Sequence, residues 1–414
     1  MRLYVSQLIP CLVLTLVQVL AALPWIRAID PVAFRTYFRR RSTLLNAAGI
    51  LIGIALLATA VMTFQRSTGF LMLLGRLYGS VLNLQLAVDF LIAVFIAMLA
   101  IWPKGGAVAL AAFREGVRQP MFWLIALAAI FVFAVAIIVP FFTFGDDFKM
   151  MKQICFDVSM LAALVFGVLA ASISINEEIE GRTAVTLMSK PVTRRQFLIG
   201  KYVGIMLAAF AMMMLLGWAL NWALHAQPQV NAGPQENSKD PMPLQAQSAI
   251  VPMFVNPRLT TIELAPFMNG FGEWMSNALA NGLGSLLGFG KVMVMLAVAA
   301  TLATRMPMIT NLLICMGVYF LGHLAPVLRR VSEELKSRSP ENTALSLVNF
   351  LTQLLETIAP SLDYFDMGPA IIRDTPISVW AFAQYLGSVS CYALLYTAIA
   401  LLFGLILFED RDLA

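Results

Sequence analysis

Apolar residues dominate this chain in long blocks, separated by short polar stretches. A membrane-spanning helix needs roughly 20 mostly apolar residues. Nine blocks reach that length: about Leu3–Leu23, Leu44–Phe64, Leu84–Trp102, Met121–Phe142, Ile154–Ile175, Tyr202–Leu224, Leu286–Thr304, Ile309–Leu328 and Ser378–Phe408. The run Phe122–Val139 holds no charged residue. Each central Leu, Ile, Phe or Val favours insertion by roughly 0.3–0.6 kcal/mol, and one Arg would cost about 2.5–3.5 kcal/mol. The pattern predicts an all-α polytopic integral membrane protein with about nine transmembrane helices.

Two longer stretches break the pattern. Gln227–Gly284 is rich in Pro, Gln, Asn and Gly and reads as a large outer loop. Arg329–Pro376 holds Leu347, Leu351, Leu354 and Ile358 at helical spacing, which predicts an amphipathic helix lying on the membrane or re-entering it. The first block is read as a span and not a cleaved leader. Pro10 interrupts it, no A-x-A site follows, and the basic cluster lies after the helix.

Composition strengthens the membrane reading. The 414 residues are 60% hydrophobic and 12% charged, whereas soluble domains carry about 25% charge. The net charge of +5 follows from topology. If Arg27–Arg41 faces the cytoplasm, alternation puts Lys104–Arg118, Arg182–Lys201, Arg305 and Arg411 on the same side, and most basic residues of the short loops with them. That orientation predicts a multi-pass protein of the plasma (inner) membrane with a cytoplasmic C-terminus. Trp25, Trp102, Trp123, Trp222 and Trp380 lie near block ends, as an interfacial belt requires. Membrane lipid is thus an expected partner. No basic stripe suits nucleic acid. Cys11, Cys155, Cys315 and Cys391 lack metal or redox spacing, and His225 and His323 lack an H-E-x-x-H pattern. Catalytic and metal residues are therefore not expected.

The most informative stretch lies between the fifth and sixth blocks, Asn176–Lys201. Glu177, Glu178 and Glu180 come early and Lys190 late, an order that suits the dipole of a short helix over Glu177–Ser189. Pro191 stops it. Thr193 and Gln196 then have capping-box spacing, and Val192 with Phe197 have hydrophobic-staple spacing, so a second helix begins there. Arg194, Arg195 and Lys201 are placed by this reading at the level of lipid phosphates. The residues alone predict a compact connector.

This stretch resembles the signature of ABC-2 type permeases, the membrane subunits of many bacterial ABC exporters. The matching residues are Glu178, Glu180, Gly181, Thr183, Leu187, Pro191, Arg194, Gly200 and Lys201, with Arg182 inserted in the usual Gly-Thr pair. Phe113–Pro120 resembles the elbow helix before the family's first span. Phe408–Leu413 is similar to the family's short tail, and Ala359–Asp366 resembles its outer segment before the last span.

The resemblance covers about 107–414 and implies a six-span permease core. That core holds a coupling loop 176–201, an outer loop 225–285 and an outer amphipathic segment 329–376. Residues 1–106 would be an extra three-helix segment. The resemblance further implies that Glu177, Glu178, Glu180, Gly181, Arg182, Thr183, Leu187, Pro191, Arg194 and Arg195 couple to a separate ABC ATPase subunit. A second permease copy or a homologous permease would complete the transporter.

The glycine-rich run Asn281–Val292 does not make a phosphate loop. It has Ser285 where Gly is needed and Val292 where a hydroxyl would hold Mg²⁺. Small residues at a helix entry explain it, Gly284 and Gly288 being four apart. No cofactor is expected in this chain; ATP and Mg²⁺ belong to the partner. Asp89, one turn from the end of its block, is a possible intramembrane polar site. The expected function is that of an ABC exporter permease without enzymatic activity of its own. The alternatives are a secondary transporter, a membrane-embedded enzyme, or a non-transporting scaffold of a cell-envelope complex.

Overall fold

The computed structural model describes residues 2–39, 41–65, 67–139, 147–176, 178, 193–230, 264–338, 347–348, 350, 353–354, 360–366 and 378–409. Among these the regular elements are helices: α1 (Arg2–Ile29), α2 (Pro31–Arg39), α3 (Arg41–Phe64), α4 (Thr68–Ile101), α5 (Pro103–Arg118), α6 (Pro120–Ile138), α7 (Asp147–Ala171), α8 (Arg194–Val230), α9 (Ala265–Ala303), α10 (Met308–Arg338) and α11 (Val379–Glu409). A π-helical turn, Ser172–Asn176, extends α7, and a 3-10 turn covers Leu362–Phe365. Nine helices among the described residues are long and apolar enough to cross a membrane. They correspond one to one with the predicted blocks.

Their lengths differ from expectation. Helix α1 runs through Pro10 and Pro24, so Pro10 does not end the first block; neighbouring groups re-satisfy the freed carbonyls in such helices. The expected outer loop is shorter than its composition predicts. Helix α8 continues to Val230 and α9 begins at Ala265, with 231–263 outside the described residues. Helix α10 continues to Arg338, into the segment read as amphipathic. Of that segment's stripe, Leu347 and Leu354 are helical and exposed, while Leu351 and Ile358 lie outside the described residues.

The chain divides into two compact units. The first comprises Met1–Ala97, Met242–Gly282 and Thr375–Val379. At its centre two helical segments meet. The start of α4 and the start of α9 pack backbone to backbone through glycines. A Cβ on Gly75 would lie 2.0 Å from Phe267 O, and one on Gly270 would lie 2.1 Å from Met72 O. Gly79 lies under the Trp274 ring, and Arg76 Nη2 donates to Glu273 Oε2 at 2.6 Å. Both segments lie outside the predicted blocks, and each accepts the other's glycine face. Tyr78 adds a bond from its hydroxyl to Leu14 O at 2.8 Å, tying α1 to the pair.

The second unit comprises Met98–Pro241, Leu283–Asp374 and Trp380–Ala414. Gln119 is extended and Pro120 opens α6, as a residue without an amide hydrogen can at a first helical position. Helix α5 lays Gly105, Val108, Ala109 and Ala112 on α8, where Gly200 and Gly204 receive them. A Cβ on Gly204 would stand 2.3 Å from Ala109 O. This is a G-x-x-x-G contact, which lets helices approach closely where lipid supplies no hydrophobic drive. Helix α7 packs against α6 and α8 and is deeply enclosed.

Candidate functional site

The stretch 177–192 belongs to the second unit, and the described residues at both of its ends are tied down by side-chain bonds. At its exit, Thr193 and Gln196 form the expected capping box. The Thr193 amide donates to Gln196 Oε1 and the Gln196 amide donates to Thr193 Oγ1, each at 3.2 Å. Phe197, next on the helix, is buried against Phe408. Arg194 Nη1 donates to the carbonyls of Phe408 and Glu409, both at 2.9 Å. A cation at a helix C-terminus is favourable because those carbonyls have no partner within the helix. Arg305 Nε likewise donates to Leu407 O at 2.9 Å. The ends of α8, α9 and α11 therefore meet on one side of this unit, with the loop.

At the entrance stands Lys201. Its ammonium donates to Glu178 Oε1 at 2.6 Å, Ser174 Oγ at 2.8 Å and Glu115 Oε2 at 3.3 Å. Ser174 Oγ also donates to Glu115 Oε2 at 3.3 Å. The Lys201 side chain is 5% exposed, so each of its three N–H groups needs a partner, and each has one. Removing an ammonium from water is costly, and two carboxylates offset that cost only with such bonding. The network joins α5 (Glu115), the end of α7 (Ser174), Glu178 and α8 (Lys201).

The π turn Ser172–Asn176 shapes that entrance. It is secured from outside its own helix: Asn311 Nδ2 donates to Ser172 Oγ and to Ala299 O, each at 2.9 Å. Single π turns mark functional positions in many helices. Here the turn lies between the buried body of α7 and Glu178.

Of the residues expected to couple, the structure places Glu178, Arg194 and Arg195. Arg195 is exposed. Glu177, Glu180, Gly181, Arg182, Thr183, Leu187 and Pro191 lie outside the described residues, as does Val192 of the staple. Lys201 corrects the expectation of a lipid-phosphate position: it points inward and is buried, because acidic partners from two other segments converge on it. Glu115 and Ser174 were not singled out, since nothing in their local spacing points to Lys201. Asp89 belongs to the first unit, near Trp25 Nε1 and Gln85, where Trp25 donates to Gln85 O at 3.3 Å and Gln18 to Gln85 Oε1 at 2.8 Å.

A second charged constellation occupies the same unit. Lys291 Nζ donates to Asp366 Oδ1 at 2.5 Å and lies 3.0 Å from His323 Nε2. His323 Nδ1 is 3.0 Å from Tyr319 O, an atom that only accepts. The proton is therefore on Nδ1, and Nε2 accepts from the lysine. His323, Asp363 and Asp366 are grouped closely enough to hold a metal ion, but the Lys291 ammonium already serves two of the three. Asp157 feels Asp366, Lys291 and His323 electrostatically. Burial, then the Asp366 charge, raises the Asp363 carboxyl above its ordinary value, against Lys291, His323 and Arg330. Lys291 is inside α9, and its side chain is 4% exposed.

Comparison with known families matches residues 117–234 to the ABC-2 family transporter protein model. That stretch contains α6, α7, residues 177–193 and the whole of α8. No curated protein matches the chain.

Proposed function

We propose that this chain, an ABC-2 type permease of an ABC transporter, is the membrane half of an exporter and is driven through the loop 177–192 by a separate ATPase subunit. The observation that carries the reading is the buried Lys201. It binds Glu178 to α5 and to two core helices at once. Force applied to the loop would reach α5, α7 and α8 together, because Glu178 is held to the same ammonium as Glu115 and Ser174.

ATP hydrolysis on the partner would supply the difference in binding that any shift between access states requires. In this reading the loop faces the cytoplasm, the C-terminus lies on the same side, and a second permease copy or a homologous permease encloses the pathway. Residues 1–106 are an addition to the permease core.

The test is co-purification with a candidate ABC ATPase subunit, followed by ATPase assay. Charge reversal at Glu178 and Glu180 should abolish stimulation of ATP hydrolysis while leaving membrane insertion intact. Unchanged complex formation and stimulation would sink the proposal.

A further inference from the structure

Helix α2 carries no buried side chain. It lies between two candidate spans, Leu8–Ile29 and Arg41–Phe64, which belong to helices packed against each other. One residue links it to each, Asp30 before it and Arg40 after it. Links so short hold α2 at the ends of both spans, where hydrocarbon gives way to headgroups.

Its sequence suits that level. With 3.6 residues per turn, Pro31, Phe34, Tyr37 and Phe38 share one face, and Arg35 and Arg39 lie on the other. The Phe34 and Phe38 rings are 4.4 Å apart, one turn along that face. Tyr37 and Phe38 are 59% and 44% exposed. Asp30 secures the start of the helix, its Oδ1 accepting from the amides of Val32 and Ala33 at 3.0 and 2.9 Å.

The charge is one-sided. Residues 27–41 hold five arginines and one acid, Asp30, whose carboxylate is engaged by those amides. Arg27, Arg35, Arg39 and Arg41 are all exposed. Among the described residues no carboxylate is paired with any of the four. Elsewhere Arg76, Lys201 and Lys291 each hold a carboxylate of the chain. The arginines of α2 and its flanks therefore need anions from outside the protein, and the aromatic face needs cover from water. A soluble acidic partner would satisfy the arginines alone. A bilayer surface satisfies both, with rings among the acyl chains and guanidinium groups on phosphate oxygens. The excess of positive charge selects anionic over zwitterionic lipid, by roughly fivefold for each basic residue at the surface.

We infer that α2, with Arg27 and Arg41 at its flanks, is a binding surface for the headgroups of anionic phospholipids. The site lies in the three-helix addition at residues 1–106, so it stands whether or not the loop 177–192 meets an ATPase.

The test uses the full chain in detergent, offered equimolar dioleoylphosphatidylglycerol and dioleoylphosphatidylcholine, with bound lipid counted by native mass spectrometry. Phosphatidylglycerol should be preferred by about fivefold or more. Arg35→Gln with Arg39→Gln should remove most of that preference, whereas Arg35→Lys with Arg39→Lys should keep most of it. Arg114→Gln with Arg118→Gln takes the same charge from exposed positions on α5 and should change the preference little. Equal losses from the two glutamine pairs mean that net charge alone decides, and overturn the site. So does a lack of preference in the unaltered chain. The aromatic face has its own readout: with native cysteines replaced, a spin label at Phe38→Cys in nanodiscs of both lipids should meet dissolved oxygen more readily than a water-soluble nickel chelate. The reverse order overturns the inference. Loss of ATPase binding by the Arg35→Gln, Arg39→Gln variant at unchanged lipid preference assigns this face to a protein partner, and overturns it as well.

Discussion

Lys201 Nζ lies 2.6 Å from Glu178 Oε1, and this contact spans the whole loop between α7 and α8. The two residues are the one described residue of 177–192 and a base about two turns inside the next helix. Their pairing closes the loop at its base. Glu178→Gln should therefore destabilise the protein by roughly 1–3 kcal/mol, the cost of weakening a bond to a buried charge. Glu115→Gln should cost less than about 1 kcal/mol, because its bond is longer and its side chain is 42% exposed. Thermal unfolding in detergent ranks the two, and the reverse order would remove Glu178 from its central place.

Arg194 makes two carbonyl contacts from one nitrogen and lies over the Phe408 ring at 5.7 Å. Lysine has the charge without the planar fork. Arg194→Lys should cost about 1 kcal/mol and raise amide exchange over Leu405–Glu409. Hydrogen–deuterium exchange checks this residue by residue.

The glycine contacts predict position-specific intolerance. Gly204→Ala drives a methyl into the Ala109 carbonyl and should destabilise by roughly 1–3 kcal/mol. Gly75→Ala should behave similarly in the first unit. Gly217→Ala is the control: its nearest neighbour would be Ser285 Oγ at 3.6 Å, an ordinary contact. It should be neutral or slightly stabilising. Thermal midpoints of the three variants decide the point.

Asp363 gives a pH prediction with a definite sign. Its carboxyl is raised in the folded protein, first by burial and then by Asp366. The folded state therefore binds that proton more tightly than the unfolded chain does. The stability this contributes is present in acid and is lost as pH rises from the ordinary value of 3.8 to the raised one. Asp363→Asn should flatten the stability profile across that window and should not lower stability at neutral pH. A steeper acid dependence in the variant would contradict the assignment.

The membrane architecture was legible because hydrophobic blocks report insertion directly. The capping box at Thr193 and Gln196 was legible because it is local. What escaped was whatever depends on a distant partner. Thr68–Asn83 and Ala265–Gly284 lie outside the predicted blocks, and each accepts the other's glycine face. Lys201 was read as a surface cation because Glu115 lies 86 positions away. Lys291 gave no local signal of its partner because Asp366 is 75 positions away. An intramembrane cation is itself a signal, and the same rule that singled out Asp89 applies to Lys291. For most of the coupling residues, from Glu180 to Pro191, the geometry lies outside the described residues.

The two carbonyls held by Arg194 have a mechanical consequence. A helix end gripped along its own axis cannot slide by a turn, about 5.4 Å, without letting go. Phe197 stacked on Phe408 and Arg305 on Leu407 oppose the same displacement. Sliding of α11 past α8 is thereby disfavoured, and tilting about this end is the motion that keeps every contact. Arg194 is then a pivot. The far ends of the helices would travel furthest for the smallest rearrangement at the loop.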